Sequence, residues 1–397
     1  MNRKIITFHW MQLFVLAAVH FLIDMFASML PAILPAIRTE FELSLSRGGL
    51  VLIALLMTSN GVQPLVGHMR ANKRKPLFLH FGLILAVGIC FLGALPRIET
   101  SFPAMVLLAI VGGSGIAIVH PESLRAVHRL KRISPAVGTA VFMAGGFLGF
   151  ASGGAVSAYL VSRFGLAGLY PLALCPIIGI VLVLVLRVRL AVERKAPNKN
   201  DPATQMNRLS FWLIMTMAIP AAISTIILMS LLPTALDELG FELTFGGFST
   251  TMYGFGGAVG SFVWASIARK KGELKCIIAT LFFVVPFLVI YLVLIKHRAA
   301  IWILFGAGFF AVAAYILMIT LSRHAIGLNL GQRMGFMVGG TWALANIVLM
   351  IFLPVAERFG TDVVLKFVPL GYLLSGIFGL FILLKSQNPA PSKLSVR

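Results

Sequence analysis

The sequence predicts an all-α membrane protein whose twelve transmembrane helices form two pseudo-symmetric six-helix bundles. Three observations lead there: an extreme apolar composition, a regular alternation of basic connections, and an echo between the two halves. Of 397 residues, 59% are hydrophobic and 12% charged, with a mean hydropathy of +0.97. Soluble domains carry about 25% charge, and their folded surface needs more polar area than this composition supplies. Lipid is the alternative solvent, and a spanning helix in it needs about 20 mostly apolar residues.

Apolar runs place helices at about 11–37, 48–67, 77–95, 102–120, 136–158, 168–187, 210–236, 246–268, 275–295, 300–321, 334–356 and 366–385. The opening Met1-Asn2-Arg3-Lys4 has the look of a signal peptide. The apolar run after it continues to Ile37 without a small-residue cleavage site, so it reads as the first spanning helix. Every Lys and Arg falls in a connection, a tail or a helix end. Of the 33, 25 lie on the side holding the N-terminus and 8 on the opposite side. Cytoplasmic loops carry such an excess, so both termini are expected in the cytoplasm of a cell with an inner membrane. The net charge of +20 is accounted for by topology rather than by nucleic-acid binding. Cys90, Cys175 and Cys276 lie in or beside apolar runs and form no motif, so neither a disulfide framework nor a metal site is expected.

The longest polar connection, 188–208, is rich in Pro, Asn and charge and reads as a cytoplasmic linker. It separates an N-terminal bundle (1–187) from a C-terminal one (209–397). Ser28-Met29-Leu30-Pro31, followed by Phe41-Glu42-Leu43-Ser44, has a counterpart in Ser230-Leu231-Leu232-Pro233, followed by Phe241-Glu242-Leu243-Thr244. Position, spacing and loop charge agree, which points to duplication. A six-plus-six plan of this kind is similar to that of the major facilitator superfamily, whose substrate sites lie near the midplane between the halves.

Among the 13 acidic residues, eleven fall in expected loops or helix ends. Asp24 lies about halfway along the first helix and is the one acid expected near mid-depth; Glu122 falls at the cytoplasmic end of the fourth. A carboxylate at bilayer depth costs several kcal/mol unless protonated, paired or water-facing, so it marks function first. His20 precedes Asp24 by four residues and shares its helix face. The two together are suited to holding and releasing a proton. The competing reading is an Asp–His hydrogen bond that fixes helix packing.

The fifth helix contains Gly145-Gly146-Phe147-Leu148-Gly149-Phe150-Ala151-Ser152-Gly153-Gly154. Glycines at 145, 149 and 153 form a one-sided groove for close helix approach. The stretch, Gly154 included, resembles the antiporter motif of major facilitator drug exporters, with Phe150 standing where that motif has Pro. The loop Gly67-His68-Met69-Arg70-Ala71-Asn72-Lys73-Arg74-Lys75-Pro76 resembles the superfamily's signature loop, with Ala71 in place of its Asp. The equivalent second-half loop, Ala268-Arg269-Lys270-Lys271-Gly272, lacks the Asp too, so a cytoplasmic latch needs other partners.

A closer resemblance emerges from three segments together: His20-Phe21-Leu22-Ile23-Asp24, Gln63-Pro64-Leu65-Val66-Gly67, and Gly113 through His120-Pro121-Glu122-Ser123-Leu124-Arg125. This set resembles the fosmidomycin-resistance branch of the superfamily, proton-driven exporters of small drugs. The resemblance covers about residues 11–155. It implies roles for His20, Asp24, Gln63, His120, Glu122 and Arg125. Read without it, Glu122 and Arg125 are three apart and make a helix-end ion pair of little worth.

Ser59, Asn60, Ser224, Thr225, Tyr253, Thr341 and Asn346 are further intramembrane polar residues, suited either to lining a cavity or to bonding between helices. Asn346 is carried forward with the substrate and gating candidates. No Gly-x-x-x-x-Gly-Lys-Ser/Thr loop occurs, so no nucleotide cofactor is expected and energy comes from an ion gradient or from the substrate's own. The expectation is a monomeric, proton-coupled antiporter exporting a small organic compound by alternating access, with consequences for antibiotic resistance. Uptake of an anionic metabolite is the alternative, and a membrane-embedded enzyme using His120 and Glu122 the more distant one.

Overall fold

A computed structural model describes residues 2–70, 74–133, 135–191, 209–328 and 330–387. Its helices are α1 (Asn2–Phe41), α2 (Leu45–Gly61, continuing as Gln63–Arg70) and α3 (Leu77–Ala86, ending in a 3₁₀ stretch Val87–Ala94). Next come α4 (Phe102–Val127), α5 (Pro135–Phe164) and α6 (3₁₀ Leu166–Ala173, then Leu174–Val185). The second six are α7 (Phe211–Glu238), α8 (Leu243–Lys271), α9 (Glu273–Val293) and α10 (Ile301–Arg323). They close with α11 (Leu330–Gly335, a π turn Phe336–Gly340, Thr341–Phe359) and α12 (Thr361–Leu365, then Val368–Gln387). The chain is thus an all-helical membrane protein of two six-helix bundles.

Ten of these helices are single apolar stretches long enough to cross a bilayer. The other two are α2, interrupted at Val62 after 17 residues, and α8, diluted by its glycines and hydroxyls. Prolines sit inside helices at Pro31, Pro35, Pro121, Pro220, Pro233, Pro286 and Pro354. In a membrane bundle neighbouring groups re-satisfy the backbone that proline frees, so the helices continue through them. This corrects the fourth helix, expected to end near residue 120: α4 runs on through Pro121 to Val127.

Residues 192–208 of the expected linker, Ala71–Lys73 of the signature loop and the C-terminal residues from 388 lie outside the described residues. The side that receives the ends of α6 and α12 is called the linker end, and the opposite side the far end. Several polar contacts join the bundles at the far end. The Ser46 amide donates to Glu357 Oε2 at 2.9 Å, and the Ser46 hydroxyl donates to the same oxygen. Arg38 faces Glu238 at 3.9 Å. The Ala155 amide donates to Thr251 Oγ1 at 3.0 Å. Between them α5 crosses α8 where Gly154 meets Gly247 and Thr250, with backbone against backbone.

Candidate functional site

Within the first bundle, α1 and α5 pack so closely that a Cβ on Gly145, Gly149 or Gly153 would run into the carbonyl oxygens of Ala17, Phe21 and Met25 respectively. Only glycine allows such an approach. The stripe read from the sequence therefore faces α1, whereas Gly154 points the other way, to α8 of the second bundle. Between Gly145 and Gly149, Gly146 faces a different neighbour. A Cβ there would clash with the His20 ring and come within 2.5 Å of Asp24 Oδ2. That doublet was visible in the sequence, but its second member was not recognised as making room for the site.

The room is occupied by three ionisable side chains from two helices. His20 Nε2 of α1 lies 3.2 Å from Asp24 Oδ2, and His120 Nε2 of α4 lies 2.8 Å from Asp24 Oδ1. His20 stacks on Phe142 of α5 at 4.0 Å and meets His120 edge-on at 5.1 Å. The other ring nitrogens face backbone: His20 Nδ1 the Phe142 carbonyl at 2.8 Å, His120 Nδ1 the Ile116 carbonyl at 3.0 Å. A carbonyl only accepts, which assigns a proton to each Nδ1. Each Nε2 therefore turns either an N–H or a lone pair toward Asp24. A lone pair at 2.8 Å from a bare carboxylate oxygen is repulsive, so a proton is shared across the Asp24–His120 contact. The arrangement can take up and release protons at fixed positions, and its ligand atoms, all within 4.8 Å of one another, also have the reach to hold a single cation. His20 is 4% exposed, while Asp24 and His120 keep 20% of their side chains open.

One of the sequence readings needs correction. Glu122 and Arg125 do not form an exposed helix-end pair: they lie inside α4, 1% and 8% exposed, with Arg125 Nη1 3.1 Å from Glu122 Oε1. Arg125 also donates to the Ala191 carbonyl from Nε and Nη2, at 3.2 and 2.7 Å, and its own carbonyl accepts from the Ala191 amide at 3.1 Å. The pair thus ties α4 to the chain leaving α6. Glu122 is thus a second buried or part-buried acid of the first bundle, placed near the linker end of α4.

Gln63 and Asn346 are not brought to the Asp24 cluster by any hydrogen bond. Gln63 Nε2 donates to the Ser59 carbonyl at 2.8 Å, bridging the interruption in α2. Asn346 is fully buried in α11, and neither polar atom of its amide has a partner among the described residues. The second bundle holds a buried hydroxyl chain. Thr225 Oγ1 lies 2.7 Å from the Tyr372 hydroxyl, which lies 3.0 Å from that of Tyr253. Tyr372 carried no signal in the sequence beyond its place in an apolar run.

Twelve membrane helices in two bundles, with an ionisable cluster buried inside one of them, define a polytopic membrane transporter. The chain belongs to the Major Facilitator Superfamily, whose family model matches residues 16–348. It is 22% identical over 366 residues to the fosmidomycin resistance protein of Escherichia coli K12, covering 88% of each chain. It is 26% identical over 157 residues to the uncharacterized MFS-type transporter YfnC of Bacillus subtilis 168, covering 39% of this chain and 37% of the other. Its fold matches two structures of a bacterial homolog of the human lysosomal transporter Spinster, both inward-facing and 14% identical. The unoccupied form gives a TM-score of 0.63 with 96% of each chain covered. The occupied form gives 0.65, covering 94% of this chain and 96% of the other. Family and fold set the membrane-embedded enzyme aside.

Proposed function

We propose that the protein exports a small organic compound in exchange for protons, by alternating access, from a cell whose cytoplasm holds both termini. The observation that carries this reading is the Asp24 carboxylate held between His20 and His120 at the centre of α1. Ionisable groups at that depth are expensive and mark ion pathways. In this mechanism a proton arriving from the far side occupies the Asp24–His120 contact, and its release toward the linker end accompanies substrate capture. The bundles are joined at the far end by Ser46–Glu357 and Arg38–Glu238, contacts that must part when the carrier opens that way. The fosmidomycin resistance relative supports a drug-sized, polar organic substrate.

The test is flux in proteoliposomes with and without an imposed pH gradient, using fosmidomycin as first probe and a thermal-shift screen of drugs, phosphonates, sugars and organic acids to widen the choice. Asp24→Asn keeps shape and hydrogen-bonding capacity but cannot titrate. It should lose gradient-driven accumulation and keep substrate exchange. Full gradient-driven accumulation by Asp24→Asn would remove Asp24 from the mechanism. Proton-driven movement of an anionic compound into the cell would replace export by uptake.

A further inference from the structure

Away from the transport cluster, the linker end of the first bundle contains a cavity of about 150 Å³. It is walled by His9 and Gln12 of α1, Arg129 just past α4, and Arg187 and Arg189 just past α6. Three arginines line it, and none pairs with a carboxylate among the described residues. His9 Nδ1 is buried with no hydrogen-bond partner among those residues. Gln12 holds the end of α6 in place by donating to the Leu186 carbonyl at 2.8 Å. Arg187 follows with φ 49°, the left-handed turn normally given to glycine after a helix, and Val188 closes it by donating to Val183. An arginine in that position is strained, and the turn places Arg187 and Arg189 on the rim together.

Concentrated positive charge beside a buried unpartnered imidazole nitrogen calls for an anion with several acceptor oxygens, the chemistry of a phosphate. What surrounds the cavity selects the source. The last turns of α6 expose Val181, Leu184 and Val185, the last of them 67% exposed, and α1 exposes Phe8 and Met11 beside it. A free phosphate has no use for this apolar wall, whereas an acidic phospholipid lays its acyl chains along it while the headgroup enters between the arginines. Basic pockets between helix ends at a membrane face suit such headgroups. We infer that this cavity is a binding site for the phosphate headgroup of an anionic phospholipid, gripping α1, α4 and α6 together at the membrane surface. The inference does not depend on what the carrier transports or on proton coupling.

Native mass spectrometry of the purified full-length protein, titrated with phosphatidylglycerol and with phosphatidylcholine, tests it. Phosphatidylglycerol should bind at least about tenfold tighter. The Arg129→Gln/Arg189→Gln variant should weaken it by about 25-fold, while Arg129→Lys/Arg189→Lys keeps most of the affinity. Should the glutamine variant fail to fold, His9→Ala keeps every charge at the rim and should still lower phosphatidylglycerol affinity several-fold. Equal binding of the two lipids, or unchanged affinity in the glutamine variant or in His9→Ala, would overturn the inference. Displacement of the lipid by millimolar inorganic phosphate would make this a free-anion site and overturn the assignment to lipid.

Discussion

His120 Nε2 lies 2.8 Å from Asp24 Oδ1, a contact between α4 and α1 that spans 96 positions of sequence. It is shorter than the His20–Asp24 contact within α1, and His120 is also the more exposed of the two rings. The two histidines therefore differ in what they do. In the proposed mechanism His20, stacked on Phe142 and 4% exposed, positions the carboxylate, and His120 is the partner that exchanges the proton. In proteoliposomes His120→Gln is expected to lose nearly all gradient-driven flux. His20→Gln should retain a substantial fraction and move the pH optimum. Equal losses in both variants would contradict this division.

A second expectation concerns Gly146. The Gly146→Ala methyl group would press on the His20 ring and on Asp24 Oδ2, and such overpacking costs about 1–3 kcal/mol. Gly146→Ala should insert normally, unfold at lower temperature in detergent and lose proton-driven flux. Gly61→Ala, whose added methyl meets nothing within 4 Å, is the control and should behave as wild type.

Gly149→Leu tests the groove itself. The leucine side chain would have to occupy the place of the Phe21 backbone, so α1 and α5 must separate. Leucine suits lipid, so membrane insertion survives. Transport should be abolished while expression in the membrane fraction is unchanged. Undiminished flux would show that the α1–α5 contact does not matter to the cycle.

The buried Glu122–Arg125 pair makes a stability prediction. Removing one member of a buried pair strands the other charge, at about 3–5 kcal/mol. Glu122→Gln and Arg125→Met should each lower the unfolding temperature markedly, and the double variant by less than the sum of the two. Additive losses would mean that the two side chains are not coupled.

Topology follows from the charge bias. A reporter fused within 192–208 or at Arg397 should register as cytoplasmic. A signal from the other side at either position would overturn the assigned orientation.

How far the sequence could be read depends on the range of each signal. Hydropathy and loop charge are local, so all twelve helices were legible, but not their ends: α1 starts nine residues before its expected position, and α4 and α5 run seven and six residues past theirs. The interruption at Val62 was hidden within an apolar run. His20, Asp24, His120, Glu122 and Arg125 stood out because each is costly in lipid. That His120 reaches Asp24 depends on how α1 crosses α4, and no periodicity within either helix encodes that crossing. Burial of the Glu122–Arg125 pair was missed for a related reason, since its cover is Ala191, beyond α6. Tyr372 closes a hydroxyl chain that only the packing of α12 on α7 creates.

At the crossing of α5 and α8, Gly154 and Gly247 meet with only the Thr250 hydroxyl and the Ala158 methyl beside them. An interface of interdigitated side chains has teeth, and turning one part against the other means lifting each tooth from its notch. Two glycines flanked by small groups make a shallow bearing instead, pinned by the Ala155–Thr251 hydrogen bond. On the α1 side, α5 is held at Gly145, Gly149 and Gly153, so in the proposed cycle α1 and α5 would swing as one lever and carry Asp24 with them. Rotation about the Gly154–Gly247 fulcrum would then re-aim the acid from one face of the membrane to the other while its distances to His20 and His120 stay fixed.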